Sequence, residues 1–553
     1  AQQEAVRLLR DKFGYSARIA EKALLTGGYT IVTALDPDIQ AIVEDYYENA
    51  EWEKHDNSPI QPNSSCVIID HSNGNVVALV GSRGRKTINL GLNYATQTRR
   101  PSGSSIKPIS VYGPGIEANA VTWGTVLDDV PINFGTETIN PDTGEKVYSN
   151  KHGYPKNAPD RYLGLTTVHE GVRNSINTIS WRSLERLGLD NSFDFLTNKL
   201  HLTTLIESQT MSNGLTFTDK AYAPLAMGEF TWGVVVKEMV AAYQIFANEG
   251  IFNDERIVLK ILDNDGNVIV DNEKKSEVVI SAQTATIVAT GTAYKITLKK
   301  NVDCAGKTGT SESNNDKWFI GYTPYYVCGV WFGYSMPRSL NKFNSVSSAP
   351  VLAWDAIMTK VMQKYVDAAK NGGEPLKKFV DAPGLVQVEY CIDSGKLPTD
   401  ACRNDLRKIT EPKKGNRIEK GWFKAGTEPT EYCDCHVMVE YDKVKKAVAM
   451  NGCPSENTIK VGMLNHLRVL PFNIQIADAQ FTWQQVPDDY SYEGLTSSQP
   501  FYIKLLPAGF YTGYTKNGGY YNHACLTHIK TEPDPPVTEP VIPDPVIPVE
   551  PAA

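Results

Sequence analysis

The first group of residues that could carry out covalent chemistry is Ser104-Ser105-Ile106-Lys107. On a helix, the first and last residues of this group share a face, so the lysine amine can reach the serine hydroxyl. Serine becomes a good nucleophile when a base takes its proton, and lysine can be that base only when it is neutral. Burial and a second cation nearby would both lower the lysine pKa to that end.

The spacing of this group does not identify a nucleophile by itself. About two such matches are expected by chance in a chain of this length. A second copy, Ser339-Leu340-Asn341-Lys342, lies in a polar segment without a helical pattern that could align its ends. We interpret that copy as a solvated loop.

The second group is Ser175-Ile176-Asn177, shortly after a helix that begins at Thr167. A hydroxyl and a carboxamide two residues apart could relay a proton and bind an amide carbonyl. Polar turns between helices contain such residues routinely, so the group says little on its own.

The third group is Lys307-Thr308-Gly309-Thr310. On a strand edge it would combine a fixed cation, two hydroxyls and a glycine that lets a ligand backbone approach, which is suited to binding a carboxylate. This tetrapeptide arises by chance in about one chain in a hundred of this size, so it is the most specific of the three.

Two predicted hairpins lie on either side of these groups. One joins residues 66–69 to 76–80 around Asn73-Gly74, a dipeptide typical of tight hairpins, and the other joins 318–320 to 326–332. Between them we predict mostly helices and loops, including a capped helix from Thr167 and another over 234–248. An amphipathic helix follows the second hairpin, with apolar residues at 357, 358, 361 and 362. The pattern predicts an α+β fold, an antiparallel sheet covered by helices with an inserted helical lobe.

The ends of the chain differ in character from this central part. Helical spacing runs through the first 26 residues until Gly27-Gly28, a short strand follows over 29–33, and a helix begins at Asp36-Pro37. We divide the chain into 1–62, a linker region, 63–383, the central domain, 384–530, a cysteine-containing extension, and 531–553, a proline-rich acidic tail.

Composition limits the possible functions of the 553 residues. Lys and Arg total 55 against 63 Asp and Glu, a net charge of -8, which argues against a nucleic-acid partner. Apolar residues make up 41% of the chain, yet no stretch approaches 18 in succession, so we predict no transmembrane segment. The chain begins at Ala1 without a signal-peptide pattern, and we expect it to be part of a longer protein.

The nine cysteines are unevenly placed. Cys66, Cys304 and Cys328 lie beside or within apolar runs and are predicted to be small core residues. The other six follow residue 390, where 15 pairings are possible. Cys433-Asp434-Cys435-His436 suggests a metal, but its spacing is not a standard zinc pattern. We therefore favour disulfides or free thiols there, and we predict no metal site and no cofactor.

In this order, the three groups resemble the S-x-x-K, S-x-N and K-T-G motifs of penicillin-binding proteins. The flanking sequences 27–36, 93–96 and 316–324 resemble the corresponding parts of class A members, and the likeness covers about residues 20–370. Ile176 stands where class A β-lactamases have aspartate, and their Glu-x-x-x-Asn element is not visible. The glycosyltransferase half of class A proteins would precede Ala1, and we expect it to be absent from this chain.

This resemblance implies a penicillin-recognising serine transpeptidase fold with a five-stranded antiparallel sheet. It implies a catalytic set and a substrate-binding set, namely Ser104, Lys107, Ser175, Asn177 and Lys307, and Thr308, Gly309 and Thr310. It also implies that peptidoglycan stem peptides ending in D-Ala-D-Ala are substrates and that β-lactam antibiotics acylate Ser104. The full-length protein would be membrane-anchored, act outside the cytoplasm and join a cell-wall synthesis complex.

Two other functions remain open at this point. A D,D-carboxypeptidase has the same fold and transfers the acyl group to water. A catalytically silent scaffold of the cell-wall complex would not need all three motifs to be intact.

Overall fold

The computed structural model of the protein describes residues 1–50, 59–139, 146–150, 152–290, 296–340, 349–413, 415–449, 453–466, 474 and 476–482. The proline-rich tail predicted at 531–553, and most of the preceding segment from 467, lie outside the described residues. The chain forms two compact units. The first comprises Ala1–Pro398 and Arg417–Cys433, and the second comprises Thr399–Asn416 and Asp434–Ala553.

A five-stranded antiparallel sheet forms the centre of the first unit. Its strands, from one edge to the other, are Ala305–Thr310, Asp316–Tyr322, Tyr326–Gly333, Asn63–Asp70 and Asn75–Val80. Both predicted hairpins and the predicted fold class are therefore confirmed. The turn of the first hairpin contains Gly74, with a φ of 78° that a side chain would disfavour.

Alternate residues of the central strands lie in two separate cores, one on each face of the sheet. Ile320 and Trp331 belong to one core, and Phe319 and Val330 belong to the other. Because helices cover both faces, these strands are apolar along nearly their whole length. Cys66 and Cys328, predicted as core residues, are fully buried, and Cys304 is 7% exposed.

Two helices, Pro37–Asn49 and Ala349–Lys370, cover one face of the sheet. The first begins where predicted, because the Asp36 carboxylate accepts hydrogen bonds from the N–H groups of residues 38 and 39. The second contributes Trp354, which is fully buried and whose Nε1 donates to the carbonyl oxygen of Cys328 at 3.0 Å.

The other face is covered by the inserted helical lobe. Where the first unit is described, its other α-helices are Gln2–Phe13, Ala17–Thr26, Gly113–Glu117, Val168–Arg173, Asn177–Leu187, Leu189–Asp194, Tyr222–Met227, Val236–Ala242, Gln244–Ala247 and Ala282–Thr290. A smaller three-stranded sheet contains Thr30–Thr33, Val258–Leu262 and Val268–Asp271. Two-stranded sheets pair Val126–Asp129 with Gly164–Thr167, Glu137–Ile139 with Lys146–Tyr148, Gln209–Thr210 with Thr216–Phe217, and Ile251–Asn253 with Ser276–Val278. Of the helices within the described ranges, none has the length and apolar character needed to cross a bilayer.

Two segments predicted as single helices are each broken in two. The first breaks at Gly14, which ends Gln2–Phe13 with a φ of 68°, before Ser16 caps the next helix. The second breaks at Tyr243, whose hydroxyl donates to the carbonyl oxygen of Ser105. Periodicity alone could not reveal either break, because the apolar stripe continues across both.

The first unit also contains the strand pair Leu385–Cys391 and Ile418–Lys424, which follows the predicted boundary at residue 383. The second unit has a three-stranded antiparallel sheet in the order Ala447–Val448, His436–Asp442 and Thr458–Leu464. Two one-turn helices, Asp400–Arg403 and Arg407–Thr410, accompany it. Among the described residues of this unit, one hydrophobic cluster contains the buried side chains of Leu406, Val439, Tyr441, Val461, Met463 and Phe481.

Candidate active site

Ser104 lies in a single 3₁₀ turn, Gly103–Ile106, that leads into a π-helical turn over Pro108–Tyr112. Its side chain is half-buried, whereas Lys107, one turn later, is fully buried. The backbone N–H of Lys107 donates to the carbonyl oxygen of Ser104. The predicted nucleophile and the predicted base are therefore held on one rigid turn, although that turn is not α-helical.

The turn that holds Ser104 packs directly against the edge strand Ala305–Thr310. A Cβ atom added to Gly309 would lie 2.2 Å from the carbonyl oxygen of Ser102, and one added to Gly103 would lie 2.2 Å from that of Thr310. Both distances are far shorter than a van der Waals contact. The lack of a side chain at Gly309 therefore allows the turn that holds Ser104 to approach the strand. The sequence analysis had instead predicted that this glycine lets the backbone of a ligand approach.

The amine of Lys107 is hydrogen-bonded to the second motif. Its Nζ donates to the backbone carbonyl oxygen of Ser175 at 2.8 Å and to Oδ1 of Asn177 at 2.6 Å. A neutral amine has two hydrogens and one lone pair, so these two hydrogen bonds leave the lone pair available. The described side chains include no hydrogen bond between Lys107 Nζ and Ser104 Oγ.

The environment of Lys107 favours that neutral form. Burial lowers the pKa of Lys107 well below its ordinary value, and the positive charge of Lys307 lowers it further. Both causes that the sequence required for a basic lysine are therefore present. In its neutral form this lysine can take a proton from a hydroxyl.

Ser175 links the two lysines. Its carbonyl oxygen accepts from Lys107, and its Oγ accepts from Lys307 Nζ at 2.8 Å. Ser175 has a φ of 58°, in the left-handed region that costs a non-glycine residue about 1–2 kcal/mol. Such strain is common where a residue must present two groups in fixed directions.

The edge strand presents the third motif. Lys307 is only 1% exposed, and its Nζ also donates to the carbonyl oxygen of Thr308 at 3.1 Å. The N–H of Ser311 donates to Asp316 on the neighbouring strand, so alternation places the N–H groups of Thr308 and Thr310 on the opposite side. Both groups therefore face the side of the strand where the Ser104 turn lies.

Sequence reasoning missed the residues that hold Asn177 in place. Oδ1 of Asn157 accepts from the backbone N–H of Asn177 at 3.0 Å, and Nδ2 of Asn157 donates to the buried carboxylate of Asp129 at 2.7 Å. That carboxylate also accepts from Thr178 and from the N–H of Leu163, and burial raises the pKa of Asp129. No spacing rule links residues 129, 157 and 177, so the sequence carried no signal for this network.

The structure thus brings the three motifs together around one turn and one strand edge. Thr310 is exposed, and its Oγ1 accepts from Lys317 Nζ at 3.2 Å. In the second copy of the first motif, Leu340 is 1% exposed and packs with Phe332 and Tyr334, so this residue is not solvated as predicted. Asn341 and Lys342 lie outside the described residues.

Two family models match the chain. The model described as "Penicillin binding protein transpeptidase domain" matches residues 64–353, more than half of the chain. The model described as "Penicillin-binding protein 1A, C-terminal domain" matches residues 382–438. The first match spans all three motifs.

Curated relatives extend this similarity. Penicillin-binding protein 1A of Clostridium tetani is 30% identical over 447 residues, which are 77% of this chain and 52% of that protein. Penicillin-binding protein 1A of Clostridium botulinum is 29% identical over 462 residues, 81% of this chain and 51% of that protein. The chain therefore spans about half the length of these curated relatives.

Solved structures show the same fold at lower identity. Penicillin-Binding Protein 1A from Haemophilus influenzae has a TM-score of 0.55 at 20% identity and covers 78% of this chain and 76% of its own. PonA1 from Mycobacterium tuberculosis, in complex with penicillin V, has a TM-score of 0.51 at 21% identity. The match covers 68% of this chain and 94% of the PonA1 chain. With the family match over 64–353, this chain belongs to the penicillin-binding protein transpeptidase family.

Proposed function

We propose that the protein is a peptidoglycan D,D-transpeptidase that forms an acyl-enzyme at Ser104. Its donor is a stem peptide ending in D-Ala-D-Ala, and Ser104 attacks the carbonyl carbon of the penultimate D-alanine. The terminal D-alanine leaves as a free amino acid. An amine of a neighbouring stem peptide then attacks the ester, which forms the cross-link and releases the serine.

One observation carries this proposal: the buried Lys107 amine donates two hydrogen bonds, to Ser175 and Asn177, and its pKa is lowered. Its lone pair is therefore available to take the Ser104 proton as the hydroxyl attacks. No other base is needed for that step.

Ser175 is suited to carry the proton onward. Its hydroxyl lies 2.8 Å from Lys307 Nζ, and its carbonyl oxygen lies 2.8 Å from Lys107 Nζ. In this mechanism the Ser175 hydroxyl passes a proton to the nitrogen of the departing D-alanine and takes one from Lys307 Nζ. When the acceptor amine attacks the ester, the proton that it loses returns to Lys307 through Ser175, and Lys107 returns its proton to the Ser104 oxygen. Asn177, fixed by Asn157 and Lys107, binds an amide of the donor peptide.

The edge strand would bind the donor's terminal carboxylate and the developing negative charge. The hydroxyls of Thr308 and Thr310 bind the carboxylate, and Lys307 adds positive potential. The backbone N–H groups of Ser104 and Thr310 form the oxyanion hole. One such donor contributes about 3 kcal/mol to the stability of the transition state.

β-Lactams would acylate the same serine, because their strained amide presents a carbonyl carbon where the peptide carbonyl lies. The family match and the relatives named above are consistent with action on the cell wall, outside the cytoplasm. We further propose that the full-length protein is membrane-anchored and works within a cell-wall synthesis complex.

The first test is the intact mass of the protein after incubation with a fluorescent penicillin. We expect one covalent adduct per chain in the wild-type protein and none in the Ser104→Ala variant. Ser339→Ala, which changes the serine of the second copy, is the matched control and should keep the adduct. A well-folded wild-type protein without an adduct would contradict the proposal and favour a scaffold.

The second test separates transfer to an amine from transfer to water. Labelled stem pentapeptide is incubated with the protein and an excess of acceptor amine, and the products are separated by mass. A cross-linked dimer is expected. Hydrolysed tetrapeptide alone, with a good acceptor present, would identify a D,D-carboxypeptidase instead.

A further inference from the structure

The second unit contains a cluster of sulfur and imidazole side chains that has no part in the proposed reaction. Cys402 lies on the short helix Asp400–Arg403, His436 begins the strand His436–Asp442, and Cys435 directly precedes that strand. Cys402 is fully buried, and the His436 side chain is also fully buried. The Sγ atoms of Cys402 and Cys435 lie 3.5 Å and 3.6 Å from Nδ1 of His436.

These two distances match the edge of a zinc coordination tetrahedron. With Zn–S near 2.3 Å and Zn–N near 2.0–2.1 Å, a sulfur and a nitrogen on one zinc ion lie about 3.5 Å apart. A thiol donating to an imidazole would give a similar distance, but a neutral imidazole nitrogen has one lone pair and accepts one such bond. Two sulfurs directed at one lone pair fit a shared cation better than two thiols.

The other nitrogen of His436 has the partner that a metal ligand requires. Its Nε2 lies 3.0 Å from Oδ2 of Asp405, and Arg407 fixes that carboxylate through Nε at 2.8 Å and Nη2 at 2.7 Å. A hydrogen bond from Nε2–H to Asp405 leaves the lone pair on Nδ1, directed at the two sulfurs. Histidines that bind metals usually donate their second N–H to a carboxylate in this way.

We propose that Cys402, Cys435 and His436 bind a zinc ion that holds the second unit together. The fourth position of the tetrahedron would be filled by a water molecule or a further thiolate. The ion would join the helix Asp400–Arg403 to the strand His436–Asp442.

This proposal replaces the preference for disulfides or free thiols. That preference rested on the spacing within residues 433–436, which is not a standard zinc pattern. The structure adds Cys402, which comes from a different part of the chain and could not be associated with residues 435 and 436 by local spacing.

The first test is the zinc content of the full chain, purified with zinc and then dialysed, measured by mass spectrometry of the metal. We expect about one ion per chain. Cys402→Ser and His436→Gln should lose it, and Cys453→Ser, a cysteine of the same unit outside the cluster, should keep it. The penicillin adduct at Ser104 reports in each variant whether the first unit has folded.

A second test does not depend on removing a ligand. Asp405→Asn keeps all three ligands but weakens the hydrogen bond to His436, so zinc affinity in a chelator competition should fall by about 10–100-fold. Cobalt substitution in the wild-type protein should give the visible bands of a tetrahedral site and a thiolate charge-transfer band. The charge-transfer band should weaken in Cys435→Ser.

Three results would overturn the proposal. The wild-type protein could contain no zinc and give no cobalt spectrum. Zinc content could remain unchanged in both ligand variants. Peptide mapping of protein isolated without added reductant could show a disulfide between Cys402 and Cys435.

Discussion

Two buried lysines share one serine at the active site, and their charges oppose each other. Lys107 and Lys307 both donate to Ser175, and both are almost fully buried. Two protonated amines in such a small buried volume repel each other strongly. In the proposed mechanism Lys107 is neutral, which removes this repulsion and gives the two lysines separate roles as base and electrostatic partner.

Replacing Lys307 should therefore change how acylation depends on pH. In Lys307→Gln the pKa of Lys107 rises, because the second cation that lowers it is gone. Acylation requires neutral Lys107, so the rise in rate with pH should shift to higher pH. A rise of one pKa unit makes the reaction about tenfold slower below both pKa values.

The measurement is the second-order rate constant of penicillin acylation across a pH series. Lys300→Gln, an exposed lysine earlier in the chain, is the control and should leave the profile in place. An unchanged profile in Lys307→Gln would show that Lys307 does not influence the pKa of Lys107.

A second titrating group lies beyond the edge strand. Burial raises the pKa of Glu229 from 4.5 to about 7, and its Oε1 accepts from the backbone N–H of Glu312 at 2.8 Å. The Glu229 carboxyl therefore holds its proton more tightly in the folded protein than in the unfolded chain. As a result, the free energy of unfolding should fall as pH rises from about 4.5 to about 7.

Denaturant unfolding at about pH 5 and pH 8 tests this dependence. The stability difference between the two pH values should shrink in Glu229→Gln, which cannot ionise. The exposed Glu273→Gln variant should retain the wild-type difference. An equal difference in all three proteins would mean that Glu229 titrates normally.

At the scale of elements, the site depends on a turn and a strand that approach more closely than side chains allow. Gly309 lies against the carbonyl oxygen of Ser102, and Gly103 lies against the backbone of Thr310. The contact fixes the distance between the serine and the third motif.

Gly309→Ala should therefore damage the site without removing any chemical group. The added Cβ would lie 2.2 Å from Ser102 O, so the strand or the turn must move. Overpacking of this kind costs about 1–3 kcal/mol of stability. A displacement of about 1 Å can reduce a rate by about a hundredfold.

Thermal unfolding and the acylation rate measure these two effects. Gly91→Ala is the control, because the nearest atom to its added Cβ is 3.6 Å away. Acylation at the wild-type rate in Gly309→Ala would show that the close contact is dispensable.

The sequence predicted the elements whose signals are local. The hairpin at Asn73-Gly74, the helix start at Asp36-Pro37 and the three motifs were all visible as short patterns. The Asp129–Asn157–Asn177 network was not, because it joins distant residues through contacts that only the folded chain creates. The break at Tyr243 was also missed; there the backbone N–H of Tyr243 donates to the carbonyl oxygen of Val240, three residues back, and no residue type in the sequence marks this change.

At the scale of the whole molecule, the first unit does not end at residue 383. Tyr390 and Phe423 are 0% and 1% exposed, and their rings lie 5.7 Å apart in the strand pair that follows. A Cβ on Gly124, in the helical lobe, would lie 2.9 Å from the Phe423 ring. The strand pair therefore completes the packing of the unit that contains Ser104.

Phe423→Ala should lower the stability of that unit although it lies far from Ser104 in sequence. Removing a buried phenylalanine costs about 3–5 kcal/mol. The measurement is the temperature at which penicillin acylation is lost. Tyr432→Ala, which changes an aromatic residue that is 68% exposed, is the control. Equal loss temperatures for both variants and the wild type would show that the strand pair does not support the site.

The contact between Gly309 and Ser102 also limits how the protein can evolve. Every single amino-acid replacement at Gly103 or Gly309 adds at least a Cβ, and both positions lack the space for one. Selection by compounds that acylate Ser104 would find no tolerated variant at these two positions. Escape would have to arise at positions outside this contact.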